Sequence, residues 1–90
     1  MPAPNEIRQV VIDWLDDQVH FGDAANLIKN DDMSFLENGI LDSLGFVRLV
    51  VYLEEHFHIT IDRKVLTRDN FDSMARIVRF VSARLDGANA

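Results

Sequence analysis

Residues 43–56, SLGFVRLVVYLEEH, place Leu44, Phe46, Val47, Leu49, Val50, Val51, Tyr52 and Leu53 around almost the whole circumference of a helix. A helix that is apolar on so many sides needs neighbours on most of them, so the rest of the chain must pack around it. Ninety residues with 48% hydrophobic content supply one modest core and no second one. Such a core cannot enclose the helix everywhere. Leu44, Val47 and Val51 share one face at i, i+3 and i+7, and two readings stay open for them: part of the core, or an apolar strip left exposed for a partner. Gly45, in the first turn, costs about 0.5–1 kcal/mol relative to alanine, which implies a close approach to the backbone there or a tolerant helix start.

Two further helices are legible from periodicity. Ile7, Val10, Val11, Trp14 and Leu15 recur at helical spacing, with Glu6, Arg8, Asp13, Asp16 and Asp17 on the other face. Asn5 is the expected cap, and the helix should end near His20 to Gly22. Asp72-Ser73 is the expected start of the last helix, whose stripe is Met74, Ile77, Val78, Val81 and Leu85 and which Gly87 closes. Between the second and last helices, His56 to Ile61 alternates like a short extended segment. Asp62 can cap a brief helical turn over Arg63 to Leu66, and Thr67 to Phe71 reads as a turn. The expected fold is all-α, a small bundle of three main helices plus one short helix, forming a single domain over residues 6–85 with flexible ends at 1–5 and 86–90.

From Phe21 to Leu41 the periodicity dissolves, and Leu27, Ile28, Met33, Phe35, Leu36 and Ile40 are scattered among polar turns. This reads as a long loop packed down by its apolar residues, a kind of connection that is usually functional or disordered. It ends on Asp42-Ser43 at the start of the apolar helix. Either residue can cap that helix. An anion is also favoured there, because unpaired amides and the positive end of the helix dipole converge on it.

Charge and composition narrow the function. Residues 1–62 hold twelve acids against three bases, and residues 63–90 hold three acids against six bases, so a net −9 is followed by +3. The acidic surface disfavours nucleic acid and anionic membranes and suits basic protein surfaces. With no cysteine there is neither a disulfide nor a thiolate metal site. No signal peptide or membrane-length apolar run is visible, so a cytoplasmic monomer is the expectation.

No catalytic apparatus is evident. His56 lies thirteen residues beyond Ser43 on the same helix, about 20 Å away, too far to serve Ser43 as a base. Asp42-Ser43-Leu44-Gly45 is not a nucleophile elbow. Asp31 is followed at two-residue steps by Met33 and Phe35, which cannot complete a calcium loop, and the histidines lack metal-ligand spacing apart from the His56 and His58 pair, which is more often surface decoration on an extended segment. The chain is therefore not expected to be an enzyme, and neither a catalytic residue nor a metal ligand is assigned.

A serine at a helix start, in a small acidic helical chain, after the run Phe35-x-x-x-Gly39-Ile40-Leu41-Asp42-Ser43-Leu44, resembles the acyl and peptidyl carrier protein family. Glu54-Glu55-x-Phe57-x-Ile59-x-Ile61 extends the likeness to about residues 6–85. The resemblance implies that a phosphopantetheinyl transferase moves 4'-phosphopantetheine from coenzyme A onto Ser43, and that the arm then carries an acyl or aminoacyl thioester. It implies that Asp42, Leu44, Val47, Val51, Glu54 and Glu55 contact the transferase, a loading enzyme and downstream biosynthetic enzymes, with Glu54 and Glu55 as exposed acids. Gly45 and Arg48 stand where fatty-acid carriers often have acids. The Asp42-Ser43-Leu44-Gly45 run, Val50-Val51-Tyr52-Leu53 and Arg68-Asp69-Asn70-Phe71 look more like freestanding carriers loaded by adenylating enzymes, such as D-alanyl and prolyl or pyrrolyl carriers. The alternative from another class is a helical adaptor that binds a protein through Leu44, Val47 and Val51 with no prosthetic group.

Overall fold

Helix α1 spans Pro4–Leu15 and buries Ile7, Val11, Ile12, Trp14 and Leu15 on one side. Its start is two residues earlier than expected: Ala3 holds the cap position without a side-chain bond, and Pro4 takes the first turn. Proline, with φ preset and no amide to orphan, suits that place, so Asn5 lies inside the helix and does not cap it. The computed structural model describes residues 3–20 and 22–87. Phe21, the expected first loop residue, and the outermost residues of both expected tails lie outside the described residues. The helical backbone continues through a π-helical turn, Asp16–His20, and the Asp16 carboxylate accepts from the Ala24 amide at 2.8 Å, opening the short helix α2, Ala24–Leu27.

Helix α3, Ser43–Phe57, sends Phe46, Leu49, Val50 and Leu53 into the core. It ends one residue later than expected. His58 adopts a left-handed conformation (φ 56°) that turns the chain out of the helix, so His56 and Phe57 are helical and the extended stretch is shorter than the alternation implied. Asp62 does cap a 3₁₀ turn, Arg63–Val65, by accepting from the Lys64 amide at 2.9 Å. The expected turn after it is a one-turn helix, α4, Arg68–Phe71, too short to show periodicity. Helix α5, Met74–Gly87, is capped by the Ser73 hydroxyl, which accepts from the Arg76 amide, and it buries Met74, Ile77 and Val81 against α1. The helices thus extend into both stretches expected to be flexible. With three long helices and no strand among the described residues, the fold is the all-α bundle that the periodicities imply.

The long connection before α3 is held from two sides. Asp31 accepts from Arg8 of α1 through its carboxylate (3.2 Å) and from the Ala75 amide of α5 through its carbonyl (2.9 Å). Further along, Phe35 is fully buried and stacks on Phe46 of α3, with ring centroids 6.2 Å apart. The clamp at this point is Asp72, buried between α4 and α5. It accepts from the Ser34 hydroxyl (2.7 Å), the Leu36 amide (3.0 Å) and Nε and Nη2 of Arg68 (3.0 and 2.8 Å), while its own carbonyl accepts from the Phe35 amide (3.0 Å). Burial alone would push this carboxyl upward. The bonds from Ser34, Leu36 and Arg68 outweigh it and hold the group below the usual aspartate value.

Glu54 departs from its expected place as an exposed acid. It is half-buried, and it accepts from the Ile61 amide at 2.9 Å and from Arg63 at 3.0 Å. The amide of Ile61 is the main reason its carboxyl lies below the ordinary glutamate value; partial burial opposes the shift and the Arg63 charge adds to it. Glu54 therefore ties the end of α3 to the segment that leads into α4.

Replacing Asp72 by asparagine is expected to lower stability by about 2 kcal/mol, because two or more charge-assisted bonds are lost at a buried site. A carboxyl lowered in the folded state contributes fully above its unfolded value, near 4, and its contribution disappears as pH falls through the lower folded value. The wild-type melting temperature should therefore fall on acidification below about pH 4 more steeply than that of Asp72→Asn. Thermal melts of both proteins between neutral and acid pH check the sign.

Candidate functional site

The start of α3 divides its capping duties in a way that leaves Ser43 open. Asp42, in extended conformation, is the cap: its carboxylate accepts from the Gly45 amide at 2.7 Å and its carbonyl from the Phe46 amide at 3.0 Å. Ser43 is the first helical residue and is exposed. Among the described residues its hydroxyl makes no hydrogen bond, and neither do the amides of Ser43 and Leu44. The arrangement offers a free hydroxyl beside two unpaired amides at the positive end of a fifteen-residue helix.

Gly45 explains how the loop can come so close. A Cβ at that position would lie 2.8 Å from Cδ2 of Leu41 and 3.2 Å from the capping Asp42 oxygen. Leu41 is itself buried, so its methyl has little room to withdraw. The close approach inferred from the sequence is therefore the chain's own loop, seated on the helix backbone. Upstream, the amides of Ile40 and Leu41 both donate to the Phe35 carbonyl, at 2.9 and 3.3 Å, which rolls the loop into a turn whose exit points at Ser43. Gly39, at φ 69°, supplies the left-handed residue that this turn requires.

The outer face of α3 carries Leu44, Val47 and Val51, respectively 58%, 39% and 39% exposed, and among the described residues these are the large hydrophobic side chains left in solvent. Of the two readings open at the level of sequence, exposure is the one realised. Asp42 and Glu55 are exposed acids beside the strip, whereas Glu54 is half-buried and engaged as described above. Arg48 is exposed on the α1 side of the same face.

Two open grooves flank Ser43. One, of about 260 Å³, runs toward α4 between Leu36, Phe46, Val47, Leu66 and Phe71, with Arg68 on its wall. The other, of about 510 Å³, runs toward α1 past Trp14, Gln18, Gly39, Leu44 and Arg48. Arg68 and Asp72 escaped the sequence reading as members of this site. Their spacing, i and i+4, was the available signal, but the loop they hold lies more than thirty residues earlier in the chain.

The surroundings of Ser43 suit an attached group in three respects. The hydroxyl is reachable, phosphate oxygens would meet free amides, and open space adjoins it on both sides. Neither His56, in the last turn of α3, nor His58, which caps its far end, reaches Ser43 as a base.

Comparison with known proteins gives the same direction. A family model described as a phosphopantetheine attachment site matches residues 5–81. The chain is 30% identical over 82 residues to the D-alanyl carrier protein of Streptococcus mutans serotype c, covering 91% of this chain and 94% of that one. To the D-alanyl carrier protein of Streptococcus pyogenes it is 33% identical over 75 residues, 83% of this chain and 90% of the relative. A third D-alanyl carrier protein, from Bacillus licheniformis, is 37% identical over 51 residues, 57% of this chain and 65% of that protein. With a reachable serine at the head of α3 and a family match across most of its length, this chain belongs to the phosphopantetheine-binding carrier proteins, which bear covalently attached 4'-phosphopantetheine.

Proposed function

We propose that the protein is a freestanding aminoacyl or acyl carrier whose prosthetic arm is attached at Ser43, and that it performs no catalysis itself. The observation that carries this reading is the unengaged Ser43 hydroxyl at the first position of a helix that a neighbouring aspartate already caps. In the attachment reaction Ser43 Oγ attacks the phosphorus of coenzyme A that bears the pantetheine. A new oxygen–phosphorus bond forms, 3',5'-ADP leaves, and the Ser43 proton passes to a base of the transferase. Asp42 keeps the helix start in place, and the amides of Ser43 and Leu44 stabilise the added charge. Once attached, the arm supplies a thiol that holds cargo as a thioester.

Leu44, Val47 and Val51 form the surface on which the transferase, an adenylating or acyl-loading enzyme and downstream biosynthetic enzymes dock, with Asp42 and Glu55 supplying acidic complement to basic partners. Glu54 acts on that surface through the fold, by fixing the end of α3. The relatives are named for D-alanine, and Gly45 and Arg48 stand where fatty-acid carriers often have acids, so an amino acid such as D-alanine is the proposed cargo class. The carrier acts as a cytoplasmic monomer; no helix among the described residues is long and apolar enough to cross a membrane.

Incubation with coenzyme A and a broad-specificity transferase should add one phosphopantetheinyl group by intact mass, and Ser43→Ala should stay unmodified. An unmodified wild type beside a fully modified control carrier would reject the carrier reading in favour of the adaptor.

Charge reversal separates the two acids. Glu55→Lys is expected to slow modification several-fold while changing stability by less than about 0.5 kcal/mol. Glu54→Lys should cost on the order of 1 kcal/mol through loss of the Ile61 and Arg63 bonds. Parallel melts and initial rates distinguish the roles; equal melting temperatures for the two variants would contradict the assignment of Glu54.

A further inference from the structure

Arg68 stands on the wall of the smaller groove that opens at Ser43. Its guanidinium is held from behind: Nε and Nη2 donate to the buried Asp72 carboxylate at 3.0 and 2.8 Å, and Nη2 also reaches the Ser34 hydroxyl at 3.3 Å. Glu37, on the loop, lies 3.5 Å from the same Nη2 and is well exposed, a weak pairing in water. Among the described residues Nη1 makes no hydrogen bond. The structure thus presents a cation whose orientation is already fixed and whose Nη1 has both protons to give, on the wall of the groove that Ser43 shares.

The loop anchor does not need that spare nitrogen. Asp72 is satisfied by Nε and Nη2 together with Ser34 and Leu36, and Nη1 adds nothing to it. A planar guanidinium fork gripped on one edge retains donors on the other, and a phosphodiester with two free oxygens is the chemical complement of those donors. Arg48, on the α1 side, is the competing cation. It is exposed and, among the described residues, makes no bond that orders its head, so holding an anion there would require immobilising a long side chain, whereas Asp72 has already immobilised Arg68.

We propose that Arg68 is a positioning residue for the prosthetic group: its Nη1 holds the phosphodiester formed on Ser43 and draws the arm toward the α4 side, against Leu36, Val47 and Leu66. The inference rests on the carrier reading with attachment at Ser43. Because Arg68 also grips Asp72, the attached phosphate adds a partner to the same cation that anchors the loop, and modification should tighten the clamp. The α1-side groove is left free of the arm.

The test compares the apo protein with the holo protein made from it by a broad-specificity transferase and coenzyme A. In amide and arginine side-chain NMR spectra of the wild type, the largest changes outside residues 42–45 are expected at Thr67 and at the Arg68 guanidinium, with Trp14, Gln18 and Arg48 little moved. Holo protein should melt about 2 °C above apo. That increment should vanish in Arg68→Gln and persist in Arg48→Gln, and the difference between holo and apo removes the cost that Arg68→Gln imposes on both. If Arg68→Gln does not fold, the wild-type spectra decide alone. Shifts centred on Trp14, Gln18 and Arg48, or holo protein with an unmoved Arg68 signal, would overturn the inference while leaving the carrier reading intact. Failure of Ser43 to be modified would overturn both.

Discussion

A single buried carboxylate, that of Asp72, organises the half of the molecule that holds the proposed attachment site. It lies at the junction of α4 and α5 and accepts bonds from a hydroxyl, an amide and a guanidinium drawn from two distant parts of the chain. Taking an aspartate out of water costs several kcal/mol unless its oxygens are satisfied, and here both are. The long loop therefore has a definite seat at Ser34 to Leu36, and Phe35 is driven into the core beside it. Everything downstream inherits that position: the turn closed on the Phe35 carbonyl, the burial of Leu41 on Gly45, and the capping geometry of Asp42.

The start of α3 then shows how a helix terminus can be finished structurally and still be available chemically. Asp42 satisfies the third amide through its side chain, and the residue after it is relieved of capping. Had Ser43 been the cap, its hydroxyl would be engaged by the helix it begins. The fold also leaves Leu44, Val47 and Val51 in solvent, contrary to the hydrophobic preference of those side chains and without benefit to the isolated chain. A free hydroxyl beside an apolar strip is the arrangement on which the proposed attachment at Ser43 rests.

Much of this was legible in the residue pattern, for identifiable reasons. The periodicities of Ile7 to Leu15 and Met74 to Leu85 marked the first and last long helices because tertiary packing selects those same faces, while the run Leu44 to Leu53 marked the second by its length and all-round apolarity. Asp62 and Ser73 announced local caps, since side-chain capping acts over two or three residues. The misses fall where the cause was either too short or too distant. A one-turn helix such as Arg68–Phe71 has no period to display, and His58 ends α3 through a left-handed conformation that its identity does not signal. Pro4 outcompeted Asn5 at the first helix because backbone preorganisation needs no side-chain bond. Glu54 looked like surface charge beside Glu55, yet its partners Ile61 and Arg63 lie across a chain reversal that the alternating residues 56–61 obscured. Asp72 was seen only as part of a helix start; the loop atoms it binds are 36 and 38 residues away.

A firmly seated loop delivers an open helix start, an arrangement whose two halves amide hydrogen exchange on the apo protein measures at once. The amides of Phe35, Leu36 and Ile40 should exchange as slowly as those in the middle of α5, while the amides of Ser43 and Leu44 exchange rapidly. Rapid exchange at Phe35 and Leu36, or strong protection at Ser43 and Leu44, would contradict it.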